Sequence, residues 1–126
     1  INRPWDARRL ENGNTLVALS GSNQVVELDG EGRAVWTVDG MSGVASAQRL
    51  ENGNTLLALY TVSKVVEVDR EGKEVWVHDI EFPMHAQRLP NGHTLIAEHK
   101  RVVEVDTDGA VVWQFEEGGA FDVSRF

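Results

Sequence analysis

His85 is the side chain in this sequence whose type best suits it to do chemistry. An imidazole is nucleophilic and mostly unprotonated near neutral pH, so it can attack an electrophilic centre or accept a proton. Attack on an anionic group also needs cationic neighbours that hold the developing charge. One arginine recurs in each third of the chain, at Arg9, Arg49 and Arg88. His85 is therefore the candidate catalytic residue if the chain is an enzyme; otherwise we interpret it as a polar residue in the wall of a channel.

The other histidine and acidic residues do not complete a metal site. The remaining histidines share neither a spacing nor a strand face typical of metal ligands; they are His78, His93 and His99. Asp106-Thr107-Asp108-Gly109 resembles the opening of a calcium loop, but Trp113 and Gln114 follow instead of the rest of such a loop with its bidentate glutamate. We interpret this segment as a hairpin turn and predict no metal site.

Composition limits the partners of the chain. Its 126 residues are 41% hydrophobic, which suffices for one domain with a buried core. The net charge of −8 makes binding to a phosphate backbone unfavourable, so we predict no nucleic-acid partner. We predict no membrane span, since no run approaches the ~18 apolar residues that a bilayer requires. The absence of cysteine excludes disulfides and thiolate chemistry.

One unit is repeated three times along the chain. Ala7–Leu19 returns as Ala47–Leu59 with two changes, and returns more loosely as Ala86–Ala97. Each copy is followed by a Val-Val-Glu block and then by a tryptophan: Val25–Asp29 and Trp36, Val65–Asp69 and Trp76, Val102–Asp106 and Trp113. The period of 37 to 40 residues is typical of stacked supersecondary units.

Each repeat has the pattern of four short strands. Apolar residues alternate or run for a few positions, and no window has the helical spacing of i, i+3, i+4. Asn-Gly dipeptides and a later glycine separate the strands, as tight hairpins require. In the second repeat we predict strands over Ala47–Leu50, Thr55–Tyr60, Lys64–Val68 and Glu74–Val77.

These elements predict an all-β fold, a β-propeller of four-stranded antiparallel blades. Each meander has apolar residues on both faces, and such sheets bury both by stacking around an axis. A β-helix or a leucine-rich solenoid would need shorter coils or a helix in each repeat. We predict one domain over 1–126, with three blades at about 5–40, 45–80 and 84–116 and an extra inner strand over 120–126.

A family resemblance supports this prediction. The run from His85 to Ile96, followed by Val102–Asp106 and Val111–Trp113, resembles a blade of the arylsulfotransferase-like and pyrroloquinoline-quinone-like β-propellers, and the resemblance recurs over the whole chain. It implies that the first strand of each blade lines a central channel. The channel-lining or binding residues would then be Trp5, Asp6, Arg9, Ser46, Arg49, His85, Arg88 and Asp122.

The resemblance also implies an activity and a compartment. Arylsulfotransferases use channel histidines, one of them as the nucleophile in sulfuryl transfer, and His85 would take that role. The stacking tryptophan, arginine or aspartate contacts and calcium ion that pyrroloquinoline quinone needs cannot be assembled from this sequence, so we predict no cofactor. A periplasmic or secreted location is the expectation that the family gives.

Three blades leave two end faces to be covered. Closed propellers typically have four to eight blades, so we expect two chains to form a six-bladed homodimer. Phe121–Phe126 matches Trp5–Leu10, which gives each junction two candidates for one inner strand. The alternative is that the chain is a segment of a longer propeller.

The function predicted from these features is that of a non-enzymatic, self-assembling structural or binding scaffold. The alternative is a divergent or fragmentary arylsulfotransferase-like enzyme that transfers a sulfuryl group through His85. A third possibility is a small-molecule, glycan or protein ligand at the mouth of the channel.

Overall fold

The chain folds into three antiparallel sheets. The computed structural model describes residues 4–98, 100–116 and 119–121, and its described residues contain strands and turns but no helix. The first sheet contains β1 (Pro4–Arg9), β2 (Thr15–Leu19), β3 (Gln24–Leu28) and β4 (Ala34–Val38). The second contains β5 (Val44–Arg49), β6 (Thr55–Leu59), β7 (Lys64–Val68) and β8 (Glu74–Asp79). The third contains β9 (Pro83–Arg88), β10 (Thr94–Glu98), β11 (Arg101–Val105), β12 (Val111–Glu116) and β13 (Gly119–Phe121).

Each sheet is a meander whose strands follow one another in chain order. The prediction of three units with four antiparallel strands is therefore confirmed. Neighbouring sheets approach through their first strands, because β1 lies beside β5 and β5 lies beside β9. The first strand of each sheet is thus the innermost one.

Two recurring turns determine the register of each meander. In the second sheet, Gly53 has a φ of 90°, a conformation that glycine adopts without steric cost, and its N–H donates to the Leu50 carbonyl at 3.0 Å. At the next hairpin, Asp69 Oδ1 accepts from the N–H groups of Glu71 and Lys73. Asp106 makes the same contacts in the third sheet, where its Oδ1 accepts from two backbone N–H groups at 2.9 Å each. The segment that resembles a calcium loop is therefore this hairpin.

The links between sheets share one backbone geometry. Gly43, before β5, has a φ of 68°, and Phe82, at the same place before β9, has a φ of 48°. A Cβ on Gly43 would clash with Thr61 Oγ1, so the link before β5 has no space for a side chain. The Phe82 side chain is accommodated on the surface, where its ring centroid lies 5.2 Å from that of Tyr60.

The C-terminal strand differs from its prediction. Residues 120–126 were expected to begin the inner strand of a further blade, but β13 pairs with β12 at the outer edge of the third sheet. Only two residues separate β12 from β13. Two residues are too few to carry the chain from the outer edge of one blade to the inner strand of another, and the links to β5 and β9 are longer. Residues 122–126 lie outside the described part of the chain.

The hydrophobic core consists of two interfaces between sheets. We call the face of a sheet that points to the next sheet its leading face, and the opposite one its trailing face. Leu16, Ala18 and Val25 form the first leading face, which packs on the trailing face of the second sheet, formed by Ala47, Leu57, Leu59, Val66 and Val68. The second leading face (Leu56, Ala58 and Val65) packs in the same way on Ala86, Ile96, Val103 and Val105 of the third sheet. The chain thus makes one type of interface twice.

Candidate functional site

The predicted channel residues lie on the inner strands, and two of them bridge adjacent sheets. Asp6 Oδ2 accepts from the Ala47 N–H at 3.3 Å, and Ser46 Oγ accepts from the Ala86 N–H at 3.2 Å. Ser46 is only 2% exposed. This corrects the prediction that Ser46 lines a channel: its hydroxyl satisfies a buried backbone donor instead.

His85 occupies the same position in the third sheet, and Arg8 contacts it across the inner strands. Arg8 Nη2 lies 3.2 Å from His85 Nδ1 and 3.1 Å from Nε2. The Arg8 Nε donates to Asp6 Oδ2 at 3.3 Å, which makes a row of three polar side chains. Burial and the Arg8 charge lower the pKa of His85, and the Asp6 carboxylate only partly opposes them. The imidazole is therefore neutral at neutral pH and keeps one nitrogen as an acceptor.

The recurring arginines have a structural role that the sequence did not reveal. Arg49 Nη1 donates to Glu27 Oε1 at 2.9 Å, and its guanidinium lies 4.8 Å from the centre of the Trp36 ring. In the next interface, Arg88 Nη1 donates to Glu67 Oε1 at 3.1 Å, and the Arg88 guanidinium lies 5.3 Å from the centre of the Trp76 ring. We call this Arg–Glu–Trp arrangement the arginine clamp.

Each clamp joins two sheets, since its arginine comes from the trailing face of one sheet and its glutamate and tryptophan from the leading face of the sheet before. The side chains of Arg49 and Glu27 are 15% and 5% exposed. Arg49 and Arg88, predicted to line a channel, are thus held largely between sheets by the buried carboxylate, and each also lines a groove at the ends of the inner strands.

Two other predicted residues are described only in part or not at all. Trp5 lies in β1, but its side chain is not among the described features, and Asp122 lies outside the described residues. Arg9 is exposed, and its Nη1 donates to the Gly13 carbonyl at 3.2 Å.

The clamp carboxylates are titratable groups with perturbed pKa values. Burial raises the pKa of Glu27, but hydrogen bonds from Asn14 and Arg49 and the Arg49 charge outweigh burial, so the pKa lies below its ordinary value of 4.5. The pKa of Glu67 is lowered in the same way, since bonds from Asn54 and Asn52 and the charge of its arginine partner outweigh burial.

The lowered pKa values predict a loss of stability in acid. A carboxylate with a lower pKa in the folded state stabilises the fold above the unfolded-state pKa, and this contribution is lost as the pH falls through the folded-state pKa. We expect the free energy of unfolding, measured by urea titration, to fall as the pH is lowered below about 4.5. The double variant Glu27→Gln/Glu67→Gln should lose part of that dependence, and Glu74→Gln, an exposed control, should keep it. Equal pH profiles for wild type and the double variant would contradict the assignment.

Two grooves open where the inner strands end. One, of about 400 Å³, lies between the first and second sheets, and the other, of about 580 Å³, lies between the second and third. Their walls combine arginines with Glu11, Gln48, Glu51 and Gln87. Among the described residues, no group of three or more histidines and carboxylates could hold a metal ion, and no helix could span a membrane.

Comparison with known proteins identifies the fold. No protein-family model matches the sequence, and no curated protein matches it. A protein of unknown function from Bacteroides caccae superposes with a TM-score of 0.73 and 20% identity over 91% of this chain and 46% of that one. Virginiamycin B lyase from Staphylococcus aureus superposes with a TM-score of 0.70 and 14% identity over 90% of this chain and 41% of the lyase. Hydrazine synthase from Kuenenia stuttgartiensis superposes with a TM-score of 0.74 and 13% identity over 92% of this chain and 36% of the synthase chain.

The fold is that of a β-propeller. The three sheets are its blades, with β1, β5 and β9 innermost. The chain spans less than half the length of each of these three structures. At such identities the likeness concerns the blade architecture alone.

In the propeller, the residues that sequence reasoning missed are Arg8, Glu27 and Glu67. A signal for the two glutamates was present: each interrupts an apolar run at the same place in its repeat, as Val25-Val26-Glu27 and Val65-Val66-Glu67. A charge at a position that the strand pattern buries requires a partner. The contact of Arg8 with His85 has no such signal, since these residues are 77 positions apart.

Proposed function

We propose that this chain is a non-enzymatic propeller scaffold and that two copies of it close a six-bladed ring. The observation that carries the proposal is that its two end faces are the two halves of the interface that the chain already makes twice. The finer proposal on family, that the blades belong to the arylsulfotransferase-like group, is supported by the repeated blade sequence.

The leading face of the third blade is one of these halves. Leu56, Ala58 and Val65 of the second blade are each 0% exposed under the third blade. At the same positions of the third blade, Leu95, Ala97 and Val102 are only half-buried. No blade in the described part of the chain packs on them.

The trailing face of the first blade is the complementary half. It carries Ala7, Val17, Leu19, Val26 and Leu28, which correspond by register to the buried residues Ala47, Leu57, Leu59, Val66 and Val68. Ala7 is exposed, and Leu19 and Leu28 are half-buried. Val17 and Val26 are 8% exposed, whereas their counterparts in the second blade are 0% exposed. The trailing face of the first blade resembles the internal trailing faces, so it is suited to pack on a leading face. The third blade of a second copy has such a leading face uncovered.

The number of copies follows from ring closure. Propellers typically close with four to eight blades, so two copies with six blades fall within this range and three copies with nine blades do not. Each junction would join the third blade of one copy to the first blade of the other. Two such junctions close the ring and cover all four end faces.

Sulfuryl transfer at His85 is the second candidate, and the neutral imidazole beside Arg8 favours it. The carboxylate of Asp6 near the same imidazole opposes the binding of an anionic substrate. Asp6 and Ser46 each accept from an N–H of the next inner strand, and in the proposed ring His85 takes the same place towards the partner subunit. We therefore propose a structural role for His85.

The mass of the chain in solution tests the proposal. We expect sedimentation velocity at micromolar concentration to give twice the 14.0 kDa of one chain. A species that stays monomeric at every concentration, or one larger than two chains, would refute the two-copy ring. Turnover of an aryl sulfate that His85→Ala abolishes would refute the non-enzymatic role.

A pair of matched variants locates the contact. Val102→Arg places a charge on the leading face of the third blade and should give monomers. Val75→Arg places the same charge on β8, where Val75 is 52% exposed, and should leave the dimer intact. Circular dichroism of both variants controls for folding.

A further inference from the structure

We infer that Arg9 of one copy completes a third arginine clamp with Glu104 and Trp113 of the next copy. The inference rests on the proposed two-copy ring and names the charged contact that determines how its ends join. Arg49 and Arg88 each have a glutamate partner within the chain, and the inference gives Arg9 a glutamate partner in the next copy.

The register places Arg9 at the clamp position. Arg49 pairs across its hairpin with Thr55, and Arg88 pairs with Thr94. Each of these arginines also donates through Nε to that threonine hydroxyl, at 3.1 and 3.0 Å. Arg9 pairs with Thr15 in the same register, yet it is exposed and donates to a turn carbonyl. Its guanidinium is therefore free to turn towards a carboxylate on a blade beside it.

The other half of the clamp lies on the third blade. Glu104 pairs with Leu95 and Trp113, just as Glu67 pairs with Leu56 and Trp76. In each internal clamp, an asparagine amide donates to Oε2 of the glutamate. The corresponding Oε2 of Glu104 lies 2.6 Å from His93 Nδ1. The other oxygen of each internal carboxylate accepts from an arginine of the next blade. No arginine in the described part of the chain binds Glu104.

The tryptophans show where the next blade must lie. Trp36 Nε1 donates to the Arg70 carbonyl at 2.7 Å, and Trp76 Nε1 donates to the Thr107 carbonyl at 3.3 Å. Both carbonyls follow the aspartate of the second hairpin, and the corresponding residue of the first blade is Gly30. Trp113 therefore has a matching acceptor in Gly30 of the partner subunit.

A pair of small and large residues fits the same junction. Val38 Cγ2 lies 2.7 Å from a Cβ placed on Gly72, and His78 Nδ1 lies 3.2 Å from a Cβ placed on Gly109. Gly32 is the corresponding glycine of the first blade, and a Cβ placed on it would have no atom within 4 Å. Phe115, the counterpart of Val38 and His78 after the tryptophan, is 44% exposed. Gly32 of the partner subunit leaves room for its ring.

The chain holds a competing arginine. Phe121–Phe126 matches Trp5–Leu10, so Arg125 stands in sequence where Arg9 stands, although it lies outside the described residues. The experiment therefore has to separate Arg9 of a second copy from Arg125.

Charge reversal provides that separation. Arg9→Glu and Glu104→Arg should each raise the dissociation constant of the dimer by at least about a hundredfold, because like charges then face each other at both junctions. The double variant Arg9→Glu/Glu104→Arg should recover to within about tenfold of wild type, as close charge pairs couple strongly. Arg125→Glu should leave the constant unchanged and should not rescue Glu104→Arg.

The outcomes separate the inference from the proposal it rests on. A monomeric wild type refutes the ring itself. A dimeric wild type whose affinity is insensitive to Arg9→Glu, or a Glu104→Arg variant that is rescued by Arg125→Glu, refutes the third clamp and leaves the ring in place.

Discussion

Replacing Glu67 by alanine is expected to lower the free energy of unfolding by about 3 kcal/mol, because the half-buried Arg88 guanidinium and two asparagine amides lose their acceptor. The Glu67 side chain is 10% exposed and accepts from Arg88, Asn52 and Asn54. All of these contacts lie within one chain, so the loss does not depend on assembly. Urea unfolding monitored by tryptophan fluorescence measures it.

Glu74→Ala is the matched control for that prediction. Glu74 lies in the same blade and pairs with Lys64 at 3.0 Å, but its side chain is 41% exposed. Exposed ion pairs contribute about 0–1 kcal/mol, so this variant should unfold nearly as wild type does. Losses of equal size in Glu67→Ala and Glu74→Ala would contradict the role of the clamp.

Truncating Leu59 to alanine is expected to cost about 2–5 kcal/mol, since it removes a buried side chain and leaves a cavity. Leu59 is 2% exposed between the first and second blades. Leu19 stands at the same position of the first blade and is only half-buried. In the proposed ring, Leu19→Ala weakens the junction between copies, so its cost should depend on protein concentration.

Thermal unfolding at several protein concentrations distinguishes the two leucines. Leu59→Ala should lower the midpoint by a similar amount at every concentration. The effect of Leu19→Ala should be largest where the wild type is dimeric and should shrink as the protein is diluted, until both proteins are monomeric. A shift that is small for Leu19→Ala and does not change with concentration would show that nothing packs on the trailing face of the first blade.

The repeat pattern predicted the blades because each turn has a local chemical signal. The strand predicted over Lys64–Val68 agrees with β7, and the Asn-Gly and Asp-x-x-Gly turns lie where the sequence puts them. The first strand of the blade was placed too late, at Ala47 instead of Val44. A register shift between Val44 and Ser46 breaks the alternation there, so the pattern does not show the start of the strand.

The role of the recurring arginines was not predictable from one repeat. Arg49 finds its carboxylate in the preceding blade, 22 residues away, and no local spacing links the two residues. Only the stacking of blades brings the trailing face of one repeat onto the leading face of another. The same reason explains Ser46, whose partner lies 40 residues away in the next inner strand.

The shared geometry of the links before β5 and β9 bears on how such chains evolve. The residue before the inner strand has a left-handed conformation whether it is Gly43 or Phe82, and both interfaces contain the arginine clamp. Duplication of one repeat therefore adds a blade without any newly evolved interface, and deletion of one removes a blade just as cleanly. The size of a propeller can change by whole repeats while the chemistry that joins them stays constant.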